Sequence, residues 1–169
     1  MNKEEFPIRE EQEFRYYQSG KGPVIVLLHG LFGALSNFYA FIKYFEKNYT
    51  VCLPILPLYS LNASETSLAG MVEYLKRFIE YKKFKSVNLL GNSLGGHVAL
   101  LYAIEDQSNV NSIVLTGSSG LFEKTLGNSY PRKSDYDFVK QKTKETFFDP
   151  RVATESLVDE VYTIVNDKE

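Results

Sequence analysis

Cysteine is almost missing from this chain of 169 residues, with Cys52 the single one. A lone thiol closes no internal disulfide, which sets aside the small secreted scaffolds and makes the reducing cytoplasm the natural compartment. Histidine is nearly as scarce, represented by His29 and His97 alone. There is no excess of basic charge. Lys+Arg 19 against Asp+Glu 21 leave a net charge of −2, so the electrostatic footprint of a nucleic-acid-binding protein is lacking. Long hydrophobic runs are lacking too. The longest, Val51 to Leu58, is interrupted by Pro54 and is far too short to cross a bilayer. The opening Met1-Asn2-Lys3-Glu4-Glu5 is polar and leads into no apolar segment of a secretory signal. What is present is 44% hydrophobic and 24% charged residues, the balance of one globular domain without repeats or low-complexity tracts.

Along the chain, Phe6 to Arg9 and Glu13 to Tyr17 read as the strands of a hairpin, and Gly20-Lys21-Gly22-Pro23 breaks it off. Val24-Ile25-Val26-Leu27-Leu28 is a continuous apolar run, as a strand buried on both faces requires. Ser36 is placed to cap a helix whose apolar positions Phe38, Phe41, Ile42 and Phe45 follow the helical period. Further strands are expected at Thr50 to Leu53, Ser86 to Leu90 and Ser112 to Thr116. Helices are expected on the face Leu68, Met71, Val72, Leu75, Phe78 and Ile79, and over Leu94 to Ile104. Such alternation implies βαβ crossovers and a mostly parallel sheet with helices on both faces: the fold class is α/β. After Gly117 a polar loop and two helices, about Tyr136 to Phe147 and Ser156 to Val165, follow with no strand between them. Residues 1–117 are therefore read as the sheet-bearing core and 118–169 as a separate helical layer.

The sharpest chemical signal is Gly91-Asn92-Ser93-Leu94-Gly95-Gly96, directly after a buried strand and directly before a helix. This is the G-x-S-x-G nucleophile elbow in the context that gives the motif its meaning. The turn is so tight that only small residues fit two before and two after the serine, and it lifts the hydroxyl above a helix N-terminus, where free N–H groups face developing negative charge. The bland alternatives are an accidental glycine-rich turn or a phosphate-binding loop. The second signal is His29-Gly30-Leu31-Phe32-Gly33, after the first central strand. A tetrahedral acyl intermediate needs two backbone donors. Leu94 supplies one by position, Leu31 is the better candidate for the other, and Phe32 the weaker. His29 itself is expected to hydrogen-bond backbone and order its turn. No ligand cluster has metal spacing, so no metal or organic cofactor is implied.

These two loops, their order and the strand–helix alternation resemble the N-terminal part of an α/β-hydrolase. Closer still is the likeness to the carbon–carbon bond hydrolases of aromatic-ring degradation, the 2-hydroxymuconate-semialdehyde-hydrolase-like group. Their usual elbow is matched by Gly91 to Gly96, and the continuation of their oxyanion loop by Gly33-Ala34 and Ser36-Asn37-Phe38. The resemblance assigns Asn37 and Asn92 to polar contacts within the active site, and implies a small-molecule substrate of apolar or aromatic-derived character. One departure stands out. Where the family usually has an acidic residue and a Gly-x-Gly turn, this chain has Ile55-Leu56-Pro57-Leu58-Tyr59-Ser60.

A serine nucleophile needs a base, and the base an orienting carboxylate, in the family order Ser, acid, His. His29 precedes Ser93. His97 lies four residues after it on the same helix, below the elbow, where packing or hydrogen bonding is the expected role. After Thr116, where some relatives carry the acid, the chain reads Gly117-Ser118-Ser119-Gly120. The expectation is a hydrolase cut within its helical cap, lacking about the last third of a domain of about 250 residues, and inactive as the 169-residue chain. The expected activity of the intact protein is serine-dependent hydrolysis of an ester or of a carbon–carbon bond next to a carbonyl. The alternatives are a non-catalytic small-molecule-binding protein on the same fold, or a cofactor-free haloperoxidase or esterase. Oligomeric state is left open.

Overall fold

The computed structural model describes residues 6–31, 35–58, 67–121 and 134–166. The chain divides into two compact units, Met1–Phe122 and Glu123–Glu169.

The first unit is built on six strands: β1 (Arg9–Glu11), β2 (Phe14–Ser19), β3 (Val24–Leu28), β4 (Thr50–Pro54), β5 (Val87–Asn92) and β6 (Val110–Thr116). Their order across the sheet is β1-β2-β4-β3-β5-β6. The β1–β2 and β2–β4 pairs are antiparallel; β3–β4, β3–β5 and β5–β6 are parallel. The apolar run of β3 is explained by its place. Ile25 and Leu27 face a core with Phe38, Ile42, Val51, Leu53 and Leu90. Val26 and Leu28 face the opposite core with Cys52, Leu75, Phe78, Leu89 and Val98. Alternation along one strand thus feeds both sides of the sheet.

Three helices cover it: α1 (Tyr39–Phe45) on the first side, α2 (Leu68–Tyr81) and α3 (Leu94–Glu105) on the second. Ser67 caps α2, its hydroxyl accepting from the Gly70 amide at 3.1 Å. Of the face expected of α2, Met71, Val72, Leu75, Phe78 and Ile79 are buried, Leu68 is half-buried, and Tyr74 joins the buried set. Tyr16, Glu11, Tyr81 and Lys82 form a hydrogen-bonded cluster that fastens the β1–β2 hairpin to the end of α2.

Several boundaries differ from those expected. Ser36 does not cap α1: it lies inside a 3-10 turn, Leu35–Phe38, and the helix starts after Phe38 with no side-chain cap. Burial of the Phe38 ring in the core sets that start. The first strand begins at Arg9 instead of Phe6, whose ring packs edge-on against Tyr17 at 4.8 Å. β6 begins at Val110, two residues early, because Asn111 and Ser112 both donate to Asn88 Oδ1, at 2.8 and 2.7 Å, and so extend its pairing with β5.

In the second unit, α4 (Tyr136–Glu145) and α5 (Glu155–Asn166) flank a 3-10 turn, Pro150–Val152. Asp135 caps α4 through the Phe138 amide, and Asp149 caps the turn through the Arg151 amide. Tyr136 donates to Asp159 from one helix to the other. Among the described residues of both units, no helix is long and apolar enough to cross a membrane.

Candidate active site

β5 carries the chain to Asn92, and α3 begins at Leu94, so Ser93 must turn the chain alone. It does so at φ 53°, ψ −120°, a conformation L-residues seldom adopt. The flanking glycines are sterically required. A Cβ on Gly91 would lie 2.4 Å from the Gly95 carbonyl oxygen, and one on Gly95 would lie 2.1 Å from the Leu28 carbonyl oxygen. α3 therefore starts in direct backbone contact with the end of β3. Leu94 is the first residue of α3, where an amide has no acceptor within its own helix.

The loop after β3 arrives at the same point. A Cβ on Gly30 would lie 3.0 Å from Ser93 Cβ, so the backbone at Gly30 passes right beside the elbow serine. His29 holds this loop and is buried, 5% exposed. Its Nε2 accepts from the Leu56 amide at 2.9 Å, which leaves Nδ1 to carry the proton and donate to the Gly30 carbonyl at 2.8 Å. Burial pushes the imidazole pKa below its ordinary value, against the opposing pull of the Gly30 bond. Tyr74 in turn donates to the Ile55 carbonyl at 3.1 Å, fastening the segment after β4 to α2. The segment after β4 thus supplies the partner of His29 through the Leu56 backbone amide.

The turn after β6 closes over the elbow from the other side. The Ser93 amide donates to the Thr116 carbonyl at 3.1 Å, and the Ser119 amide donates to the Ser93 carbonyl at 3.2 Å. Asn92 Nδ2 donates to Thr116 at both the carbonyl and Oγ1, 3.0 and 3.1 Å away. His97 lies one helical turn below, its ring against Gly120, where a Cβ would approach it to 2.4 Å.

Of the residues singled out from sequence, Ser93, Leu94 and Asn92 stand together with Gly30, and Leu31 follows directly after it. Asn37 is exposed within the 3-10 turn. Phe32, Gly33 and Ala34 lie outside the described residues, as do Tyr59 and Ser60. Sequence reasoning missed Leu56, Thr116 and Ser119, which no local motif marks. Neither histidine is placed as a base: His29 has both ring nitrogens engaged with backbone, and His97 lies beneath the elbow. Among the described residues, no three His, Cys, Asp or Glu side chains converge where they could hold a metal ion.

A family model described as alpha/beta hydrolase fold matches residues 23–155. Monoacylglycerol lipase ABHD6 of Mus musculus is 31% identical over 121 residues, 66% of this chain and 36% of that protein. The 2-hydroxy-6-oxononadienedioate/2-hydroxy-6-oxononatrienedioate hydrolase of Comamonas testosteroni is 30% identical over 161 residues, 83% of this chain and 55% of that protein. Among solved structures, an alpha/beta hydrolase from the metagenome of lagoon sediments at Mar Chica, Morocco, superimposes with a TM-score of 0.66 at 37% identity, covering 92% of this chain and 65% of that one. The chain thus spans between about a third and two thirds of the length of these relatives.

Proposed function

Because the chain belongs to the α/β-hydrolase fold family, we propose that the intact protein is a serine-dependent hydrolase acting on an ester or on a carbon–carbon bond next to a carbonyl. Ser93 is the nucleophile or, in carbon–carbon cleavage, an activator of water. The amides of Leu31 and Leu94 form the oxyanion hole, with Phe32 the alternative donor to Leu31, and Asn37 and Asn92 belong to the polar surround of the substrate. Residues 1–117 form the N-terminal part of the hydrolase core and 118–169 the beginning of a helical cap. The substrate is a small molecule of apolar or aromatic-derived character, and the buried Cys52 suits a reducing cytoplasm.

One observation carries this assignment. Ser93 holds its left-handed conformation at the head of α3 while Gly30 lies against its Cβ. That juxtaposes a hydroxyl, a helix N-terminus and a second loop of backbone amides, the parts an acyl-transfer site needs. The names of the relatives span both bond types: a monoacylglycerol lipase for esters, and a hydrolase of 2-hydroxy-6-oxo-dienedioates. A fluorophosphonate probe, which reacts with activated serines, should label the full-length gene product at Ser93 and leave the Ser93→Ala variant unlabelled. Equal labelling of both removes Ser93 from the mechanism. Turnover of p-nitrophenyl esters against that of dienoate ketones then separates the two bond types.

A second reading has its own observation. With His29 locked to backbone and His97 against Gly120, the described residues offer Ser93 no base. A small-molecule-binding protein that keeps the elbow without turnover fits that arrangement. Binding of a substrate analogue with no labelling of the full-length product would favour it.

A further inference from the structure

The strained elbow needs something to hold it. On the side of α3, the Ser93 carbonyl accepts from the Gly96 and His97 amides at 3.0 and 3.3 Å, but Ser93, at the N-cap position, makes no side-chain capping bond. On the other side, the Ser93 amide and the two residues before it are restrained by the last residue of β6. The Thr116 carbonyl accepts from the Ser93 amide at 3.1 Å and from Asn92 Nδ2 at 3.0 Å. Thr116 Oγ1 accepts from Asn92 Nδ2 at 3.1 Å and donates to the Gly91 carbonyl at 3.4 Å. One residue thus bonds three consecutive residues of the elbow. We propose that Thr116 is a positioning residue for Ser93, its hydroxyl locking Gly91 and Asn92 so that the serine is held in its left-handed turn. This inference rests on the assignment of Ser93 as the nucleophile.

The physical basis is the strain itself. A non-glycine residue in a sparsely populated conformation persists only where its surroundings over-determine it. The β5–β6 register pairs Asn92 with Thr116 as the last step of the ladder, so the strand ends where the turn begins. Backbone pairing sets Asn92 opposite Thr116, and the Asn92 side chain adds bonds to both the carbonyl and the hydroxyl of that residue. Because Asn92 spends its Nδ2 on Thr116, its Oδ1 is what remains toward Gly30, 3.4 Å from where a Cβ there would stand. In this arrangement Asn92 relays position from β6 toward the loop after β3, in addition to any contact it makes with substrate.

Two substitutions separate the hydroxyl from the shape of the side chain. Thr116→Val keeps the branched form and the carbonyl but loses Oγ1; Thr116→Ser keeps Oγ1. In the full-length gene product, Thr116→Val should lower kcat and the rate of fluorophosphonate labelling about tenfold, the scale of one lost hydrogen bond, with KM unchanged. Thr116→Ser should restore both. Hydrogen exchange at the Ser93 amide should quicken in Thr116→Val and return to the wild-type rate in Thr116→Ser. Wild-type labelling and exchange rates in Thr116→Val overturn the proposal, as does a serine variant as impaired as the valine one. If wild-type protein is not labelled at all, the nucleophile assignment fails by itself, and the exchange measurement still decides whether the Thr116 hydroxyl holds the turn.

Discussion

Replacing Gly95 with alanine probes the backbone contact on which the site is built. Gly95 sits in the first turn of α3, and a Cβ there would lie 2.1 Å from the Leu28 carbonyl oxygen and 2.6 Å from that of His29. Both are backbone atoms of the central strand and its loop, so no side chain can rotate away to make room. Restoring ordinary contact requires α3 to withdraw from β3 by more than 1 Å. Overpacking of this kind costs about 1–3 kcal/mol, whereas Gly→Ala in an unobstructed helix gains up to about 1 kcal/mol. The sign of the stability change therefore reports on the contact. The functional effect should exceed the stability effect, because the withdrawal carries Ser93 and the Leu94 amide away from Gly30. A misplacement near 1 Å costs about a hundredfold in rate. Urea unfolding and fluorophosphonate labelling of the full-length product measure the two quantities. Gly117→Ala serves as reference: Gly117 has φ +52° but nothing within 4 Å of a Cβ, so it carries conformational strain of about 1–2 kcal/mol without a clash. A Gly95→Ala protein that is more stable than wild type and labels at the wild-type rate refutes the packing described here.

His29→Ala should leave the Leu56 amide buried without its acceptor and destabilise the protein by about 1–3 kcal/mol in thermal unfolding. Because the folded-state pKa of His29 is lowered, the unfolded chain binds the extra proton first, so stability should fall as pH drops below about 6.5; a His29→Asn variant with an undiminished acid slope would assign that slope elsewhere. Asn37→Ala should reduce turnover of the full-length product while changing stability by less than about 1 kcal/mol, since Asn37 is exposed, and unchanged kinetics would return Asn37 to a surface role. The 169-residue chain expressed alone should show no turnover of a p-nitrophenyl ester, since neither of its histidines is placed as a base for Ser93 and a serine without its triad partners is slower by several orders of magnitude; turnover comparable with that of a longer gene product would demand a base within the 169 residues, with His97 the first to test.

The parts of this structure legible in the sequence are those that short-range pattern determines. The unbroken apolar run of β3 announces a strand buried on both faces, and the structure divides its side chains between the two cores. The helical face of α2 is legible for the same reason, and Ser67 just ahead of it caps the helix. The glycine spacing around Ser93 is a local steric requirement, so the elbow could be found without knowing what packs against it. Errors arise where a distant contact outweighs a local preference. Ser36 has the chemistry of a helix cap, yet burial of Phe38 delays the helix past it. Asn111 and Ser112 look like loop residues until Asn88 on the neighbouring strand gives them a shared acceptor.

The supports of the site belong to this second kind. Leu56 reaches His29 across 27 residues, and Thr116 reaches Asn92 across 24. Neither partner is marked by composition or spacing, because a backbone amide and a threonine hydroxyl are common currency anywhere in a chain. What makes them specific is the sheet order. β3 lies between β4 and β5, and β5 between β3 and β6. The end of each central strand is therefore braced from a neighbouring strand's exit: His29 from the segment after β4, Asn92 and Ser93 from the end of β6. The elbow at Ser93 keeps its strained conformation without a side-chain cap of its own. Parallel strands end at the same edge of the sheet, so every loop available to brace them leaves from that edge. The topology that gathers the elbow and the loop after β3 also delivers the groups that hold them in place.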